Sequence, residues 1–299
     1  MERRTFIKNT SLFAIAISTT GFIRFDGDHY IGDCETTSDV LGPFYRPDSP
    51  IRNNLTIIGD LGEAIELTGK IYHKDCSTPY KKAKIELWHC DGKGVYDNSS
   101  DQYRYRGTSF SDENGNYSFQ TILPVPYEIG GGNFRPAHFH LMISAGGYQS
   151  LVTQLYFTGD VNISKDESSS SPTAKKRILN IENLKNGTKK VIFNISMSEN
   201  LLAEPSAIDK LVGTYIDEKD SKNKNEFFKK DNTLWMKNEL FGENFDYIGN
   251  NTFIQPGVDS KWKLTFHFEL LPSGSAKLTI SSVNKEGKKE TQVLVRRNI

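Results

Sequence analysis

The feature that most narrows the folds open to this chain is a series of short segments that alternate apolar and polar residues, each closed by a turn. Ile65-Glu-Leu-Thr-Gly-Lys-Ile-Tyr72 and Ala83-Lys-Ile-Glu-Leu-Trp88 read this way. Residues 117–122 follow the turn formers Asp112-Glu-Asn-Gly-Asn116, and 138–143, 151–157 and 191–195 continue the series. A period of two places alternate side chains on opposite faces of a strand. Short strands spaced by turns, with no long helical periodicity, predict an antiparallel β-sandwich. Gly42-Pro-Phe-Tyr-Arg-Pro47 carries two prolines and predicts an extended, non-helical arm ahead of the strands. Residues 164–176, with four consecutive serines at 168–171, read as a mobile loop.

The series breaks near Ala203-Glu-Pro-Ser206 and then resumes. Leu211-Val-Gly-Thr-Tyr215, Thr233-Leu-Trp-Met236, Asn251-Thr-Phe-Ile254, 262–268 and Lys277-Leu-Thr-Ile280 are again strand-like. A chain of 299 residues accommodates two β units. The reading is all-β: a larger unit at 34–206 and a smaller one at 207–299, which has no Cys and one His, His267.

The amino terminus has a different character. A basic start with Arg3-Arg4 precedes a short apolar run at 12–17, too short to span a bilayer. Residues 1–33 are read as an export signal of the twin-arginine type with its linker, which predicts a periplasmic or extracellular protein. With 37 basic and 37 acidic residues the chain has no net charge; no basic stripe points to nucleic acid, and no acidic tail points to a basic partner. The three cysteines, Cys34, Cys76 and Cys90, are too few for a disulfide scaffold.

The chemistry concentrates in Arg135-Pro-Ala-His-Phe-His140. On a strand, His138 and His140 face one side and can share a metal while Phe139 points into the core. A zinc site would want a third ligand from His, Cys, Asp or Glu. Upstream, in turn-like settings, stand tyrosines instead: Gly94-Val-Tyr96 and Pro124-Val-Pro-Tyr127. Phenolate oxygen suits a trivalent iron, which can depress a phenol pKa far below its ordinary value.

Seven blocks together resemble the intradiol ring-cleavage dioxygenases, the family of the catechol and protocatechuate dioxygenases. They are Gly42-Pro-Phe-Tyr45, the stretch from Ala83 to Tyr96, Tyr105-Arg-Gly107, Asp112 to Tyr117, Pro124-Val-Pro-Tyr127, Arg135 to His140 and Thr153-Gln-Leu-Tyr-Phe157. They stand in the family's order over roughly residues 40–160. The resemblance implies an iron(III) cofactor, Fe(3+), held by Tyr96, Tyr127, His138 and His140, with Arg135 and Gln154 beside the substrate. It implies insertion of O2 between the two hydroxyl-bearing carbons of a catechol to give a muconate-type diacid, with Tyr127 accepting a substrate proton. The helical linker of the catechol dioxygenases has no counterpart, which brings the chain closer to the protocatechuate type and to exported members. The cysteines resemble positions in those exported members, which leaves Cys76–Cys90 or Cys34–Cys76 as pairings. Residues 207–299 resemble a small lipocalin-like β domain, expected to make a homo-oligomer or to cover the active site, or else to be a passive extension of the sandwich. Two other readings use the same residues: a non-catalytic module that binds an aromatic compound or glycan, and a zinc hydrolase built on His138 and His140 alone.

Overall fold

The computed structural model describes residues 35–198, 201–258, 260–272 and 274–296, with the backbone of a hairpin at Ile23–Phe25 and Tyr30–Gly32. The basic start and apolar run assigned to export, and Cys34, lie outside the described residues. Strands dominate. Among the described residues, helix is confined to Pro205–Asp209 and to the 3-10 turns Pro172–Arg177 and Ser260–Trp262.

Two sheets make the larger body. The first runs in the order Ile178–Leu179, Leu151–Phe157, His138–Ser144, Lys84–Trp88, Arg106–Phe110. The second is built around Ala64–Tyr72, which pairs with Asn116–Ile122, Lys189–Ile192 and Ile195–Ser196. Their facing side chains form one apolar core that includes Leu67, Ile85, Phe119, Phe139, Leu141 and Val191, each fully or almost fully buried. The pairing differs from the antiparallel expectation. Lys189–Ile192 and Ile195–Ser196 run parallel to Ala64–Tyr72, and Ile178–Leu179 runs parallel to Leu151–Phe157. Parallel neighbours need a long connection between them, and here each pair is separated by at least the turn-rich stretch that follows Phe157.

That stretch is not a loose loop. Asp160 Oδ2 accepts from Ala137 N at 2.7 Å, Asp166 N donates to Asn162 O at 3.1 Å, and Ser170 N donates to Asp166 O at 2.9 Å. Ser169 is buried and gives its hydroxyl to Ile163 O and Asp166 Oδ2, at 3.0 and 2.9 Å, which composition alone does not reveal.

The central strands of the first sheet are buried on both faces. All seven residues of Leu151–Phe157 and the first six of His138–Ser144 are buried. A strand with one solvated face shows alternating burial. Here the face away from the core is covered by the arm and by the second β unit. Leu41 and Tyr45 of the arm pack with Trp88, Met142, Val152 and Trp235 in a separate cluster.

The second unit is a closed eight-stranded antiparallel barrel from Gly213–Asp217 to Lys289–Arg296. Its interior is filled by Tyr215, Phe227, Phe245, Phe253, Phe268, Leu278 and Leu294, none more than 2% exposed. Alternation sends the neighbours of Phe227 and of the equally buried Leu234 outward. Phe228 and Trp235, a cross-strand pair, face the larger body. Trp235 stacks on Tyr45 with ring centroids 5.7 Å apart. Gln149 of the body donates to Asp246 Oδ1 at 2.5 Å and to Phe245 O at 3.2 Å. At Gly257 (φ +74°) the barrel comes so close to the arm that a Cβ would lie 2.2 Å from Asp39 C and Val40 N.

Cys90 is a buried free thiol, which corrects the Cys76–Cys90 pairing. Its strand-end position puts the thiol against Val125 O at 3.5 Å, away from the exposed Cys76 turn. Cys76 is itself disulfide-bonded.

Candidate metal centre

His138 and His140 lie on the covered face of the first sheet while Phe139, between them, is fully buried in the core. Their Nε2 atoms are 3.1 Å apart. His138 Nδ1 is 2.6 Å from Pro136 O, a contact that requires the proton on Nδ1 and leaves Nε2 with its lone pair. His140 stacks on Trp88, centroids 4.9 Å apart and planes 8° from parallel, and its Nδ1 is buried without a partner. Burial, and then Arg135, push the His138 pKa down to about 3. Burial and the neighbouring His138 hold His140 well below the usual imidazole range. Both rings are therefore neutral at ordinary pH, the form in which imidazole binds a metal.

Two phenols close on the same point. Tyr96 Oη is 3.3 Å from His138 Nε2. The Tyr96 and Tyr127 rings meet edge to face at 5.6 Å, and the Tyr127 ring lies 5.7 Å from that of His138. Tyr96 follows a tight turn in which Asp91 Oδ1 accepts from the Lys93 and Val95 amides at 2.8 and 2.9 Å. Gly94, at φ +81°, makes the approach feasible, because a Cβ there would come 2.9 Å from Tyr127 Cβ. Burial raises both phenol pKa values, that of Tyr96 well above its ordinary value, while Arg135 opposes the rise at Tyr127. A buried phenol and a half-buried one, each harder to ionise than a free phenol, meet two neutral imidazoles and form a donor set that a strongly charged hard cation would satisfy. Tyr96, Tyr127, His138 and His140 are the residues that would hold it. Among the described residues no third His, Cys, Asp or Glu joins the histidine pair.

Arg135 pairs across a short hairpin with Tyr127, which sets it beside the four. Its Nη2 donates to Gln154 Oε1 at 2.7 Å and to Tyr156 Oη at 3.4 Å. Gln154, fully buried, is the register partner of His140, and its Nε2 donates to Val40 O at 2.6 Å. Tyr156 Oη donates to Asp39 Oδ2 at 2.9 Å, and Asp39 in turn pairs with the buried Arg177. Arg135 Nε lies 2.7 Å from Asp166 Oδ1 but outside hydrogen-bonding geometry, so that contact is chiefly electrostatic. Burial works against the Arg135 charge, yet Tyr156, Asp166, Tyr127 and Asp39 outweigh it and hold the guanidinium above its ordinary value. The arm finishes the enclosure. Phe44 stacks on Tyr96 at 4.4 Å, and at Gly42 a Cβ would come 3.1 Å from His140 Cε1.

Six residues singled out in the sequence thus meet in one place. Tyr156, Asp39, Asp166 and Arg177 were not singled out. Tyr156 was within reach, since it stands two residues from Gln154 on the same strand and so on the same face. Asp39, Asp166 and Arg177 leave no periodic signal. His89 is structural: Nδ1 meets Cys90 O and Nε2 meets Thr121 Oγ1, both at 2.7 Å.

An enclosed cluster of two imidazoles and two phenols beside a fixed guanidinium has the donors to hold a metal ion and a charge to set against a small anionic molecule. The family model described as Dioxygenase matches residues 40–199, which contain Tyr96, Tyr127, Arg135, His138, His140 and Gln154. The chain belongs to the intradiol ring-cleavage dioxygenase family. It is 36% identical to the chlorocatechol 1,2-dioxygenase of Rhodococcus opacus over 158 residues, 45% of this chain and 61% of that protein. It is 35% identical to the catechol 1,2-dioxygenase of Candida albicans over 143 residues, 40% of this chain and 46% of that one. The chain therefore spans about half the length of the curated relatives it matches. The fold is shared with the catechol 1,2-dioxygenase of an Acinetobacter species, at a TM-score of 0.51 and 21% identity, over 66% of this chain and 68% of that one.

Proposed function

We propose that this chain is a non-haem iron(III) intradiol dioxygenase that inserts O2 between the two hydroxyl-bearing carbons of a catechol to give a muconate-type diacid. The observation that carries this reading is the convergence of Tyr96, Tyr127, His138 and His140 at one buried point within the family match. Iron(III) bound there would supply the Lewis-acid and redox chemistry that couples catechol to O2.

The remaining work falls to this chain's own side chains. Tyr127 is the less buried of the two phenols and stands beside Arg135, which favours its ionised form. It is suited to hold the proton released when a catechol hydroxyl ionises. The Arg135 guanidinium, fixed on two sides, stabilises negative charge that builds on the ring without giving up its own proton. Gln154, tied to both Arg135 and Val40 O, sets the orientation of that edge. Phe44 and Gly42 keep bulk water off the phenol and imidazole faces.

In this reading the two-sheet body, 34–206, is the family's β-sandwich and the barrel, 207–299, is a lipocalin-like accessory unit. Arg3-Arg4 and the following apolar run support export to the periplasm or beyond. The substrate class rests on relatives named for catechol, chlorocatechol and hydroxyquinol. Incubating iron-loaded protein with catechol under isotopically labelled O2 tests the reaction. The expected product is a diacid that carries label, with one O2 consumed per ring. A yellow ring-opened aldehyde would place cleavage beside the two hydroxyls rather than between them, and would overturn the reading.

A further inference from the structure

Arg135 is a long, flexible side chain whose usefulness at the site depends on where its guanidinium sits. Gln154 and Tyr156 take its Nη2 edge. The Nε edge faces a carboxylate from outside the strands, Asp166, in the serine-rich stretch after Phe157. Asp166 is 8% exposed. Its other oxygen, Oδ2, accepts from Ser169 N and Ser169 Oγ, each at 2.9 Å. The carboxylate is therefore oriented by its own turn before it meets Arg135. The turn is anchored at its start, where Asp160 accepts from the amide of Ala137, next to His138.

The next residue faces the opposite way. Glu167 Oε1 accepts from Trp262 Nε1 at 3.3 Å and from Lys261 Nζ at 3.2 Å, both on the barrel. A crevice of about 140 Å³ lies at this junction, walled by Glu167, Ser168 and Arg177 on one side and by Gly257, Val258 and Trp262 on the other. Two consecutive residues thus connect the barrel to the substrate-side guanidinium. The two contacts differ in strength. The Asp166 pair is buried, whereas both partners of the Glu167–Lys261 pair are more than half exposed. Exposed pairs contribute little, and a buried one strongly constrains what it touches.

We propose that Asp166 is a positioning residue for Arg135, and that the barrel steadies it through Glu167. The proposal rests on the dioxygenase reading. Asp166 fixes the Nε edge, so that the guanidinium presents one face to a bound catecholate. The barrel acts on the site through this strut rather than by contributing a group to it.

The test is anaerobic binding of 4-nitrocatechol, whose own absorption reports its ionisation, to iron-loaded wild type, Asp166→Asn, Asp166→Ala, Glu167→Ala and Arg135→Gln. Asp166→Asn keeps an oxygen for Ser169 and removes only the charge, which guards against misfolding of the turn. Both Asp166 variants are expected to raise the dissociation constant about tenfold, and Glu167→Ala about twofold. The deciding measurement is a double-mutant cycle: in the Arg135→Gln background the Asp166→Asn loss should vanish, because a positioning residue has nothing left to position. Losses that simply add would give Asp166 a merely structural role and overturn the proposal. Glu167→Ala binding like wild type would overturn the barrel's part. A wild-type protein that binds no nitrocatechol would remove the dioxygenase reading, and the proposal with it.

Discussion

The two β units of this chain bury their rings to opposite ends. In the barrel, Tyr215, Phe227, Phe245, Phe253 and Phe268 fill the interior with apolar surface. The only polar group of that set, the Tyr215 hydroxyl, is paired at once with Leu211 O at 2.8 Å. On the covered face of the first sheet, burial falls on imidazoles, phenols and a guanidinium, and His140 Nδ1 is left without a partner. Buried polar groups are costly unless satisfied. A fold that gathers several of them, with lone pairs directed at one point, is less stable locally than an apolar filling would make it. The contrast separates a unit that gathers polar side chains at one place beside its core from a unit whose interior is almost wholly apolar.

The sharpest way to break the contrast is to remove one converging group. His140→Ala should lower iron affinity by more than about 100-fold, since even outer partners of metal ligands cost 10–100-fold. Metal analysis after gel filtration reads this directly, and an unchanged iron content would separate His140 from the metal. The corresponding change in the barrel, Phe268→Ala, empties a fully buried ring position. It should cost about 3–5 kcal/mol in the barrel's unfolding transition and leave iron content intact below that transition. Calorimetry of the iron-loaded protein shows whether the two effects separate.

A milder change probes a satisfied polar pair in the body. Thr121→Val keeps the shape of the side chain but removes the partner of His89 Nε2. The expected loss is about 1–3 kcal/mol in denaturant unfolding, with the visible spectrum of the iron-loaded protein unchanged. The smallest effect lies at the junction of the units. Burial pushes the Asp246 carboxyl up to about 7. Between the ordinary carboxylate value and that pH the folded chain holds a proton that the unfolded chain releases, so stability falls as pH rises through this window. Asp246→Asn should therefore match wild type near pH 4 and be more stable above pH 7, by about 1 kcal/mol once partial exposure is allowed for. Thermal melts across pH would show a flat difference if Asp246 were an ordinary surface carboxylate.

Much of both units could be read from the sequence. Thr233–Met236 and Leu151–Phe157 stand where alternation and turn signals put them. Strands with a solvated face were harder. Lys224–Lys230 and Lys289–Arg296 carry so many charged residues that they look like surface loops, although Phe227 and Leu294 point into the barrel. Parallel pairing of Lys189–Ile192 with Ala64–Tyr72 depends on what the chain does in between, which no single segment records. At the site, the His-x-His spacing announced itself through strand geometry, whereas Tyr96 and Tyr127 look like ordinary turn tyrosines and stood out only through the family resemblance. Asp166 was hidden by its neighbours. A carboxylate among serines reads as solvated, and only its tertiary contact with Arg135 shows otherwise.

Two phenols and two imidazoles on one iron(III) would colour the protein. The most direct measurement is the visible absorption of the iron-loaded protein without oxygen, before and after addition of catechol. The expected result is a broad phenolate-to-iron band that shifts when catechol is added and is lost or strongly altered in Tyr96→Phe. A protein that takes up one iron per chain yet stays colourless, with no response to catechol, would contradict it.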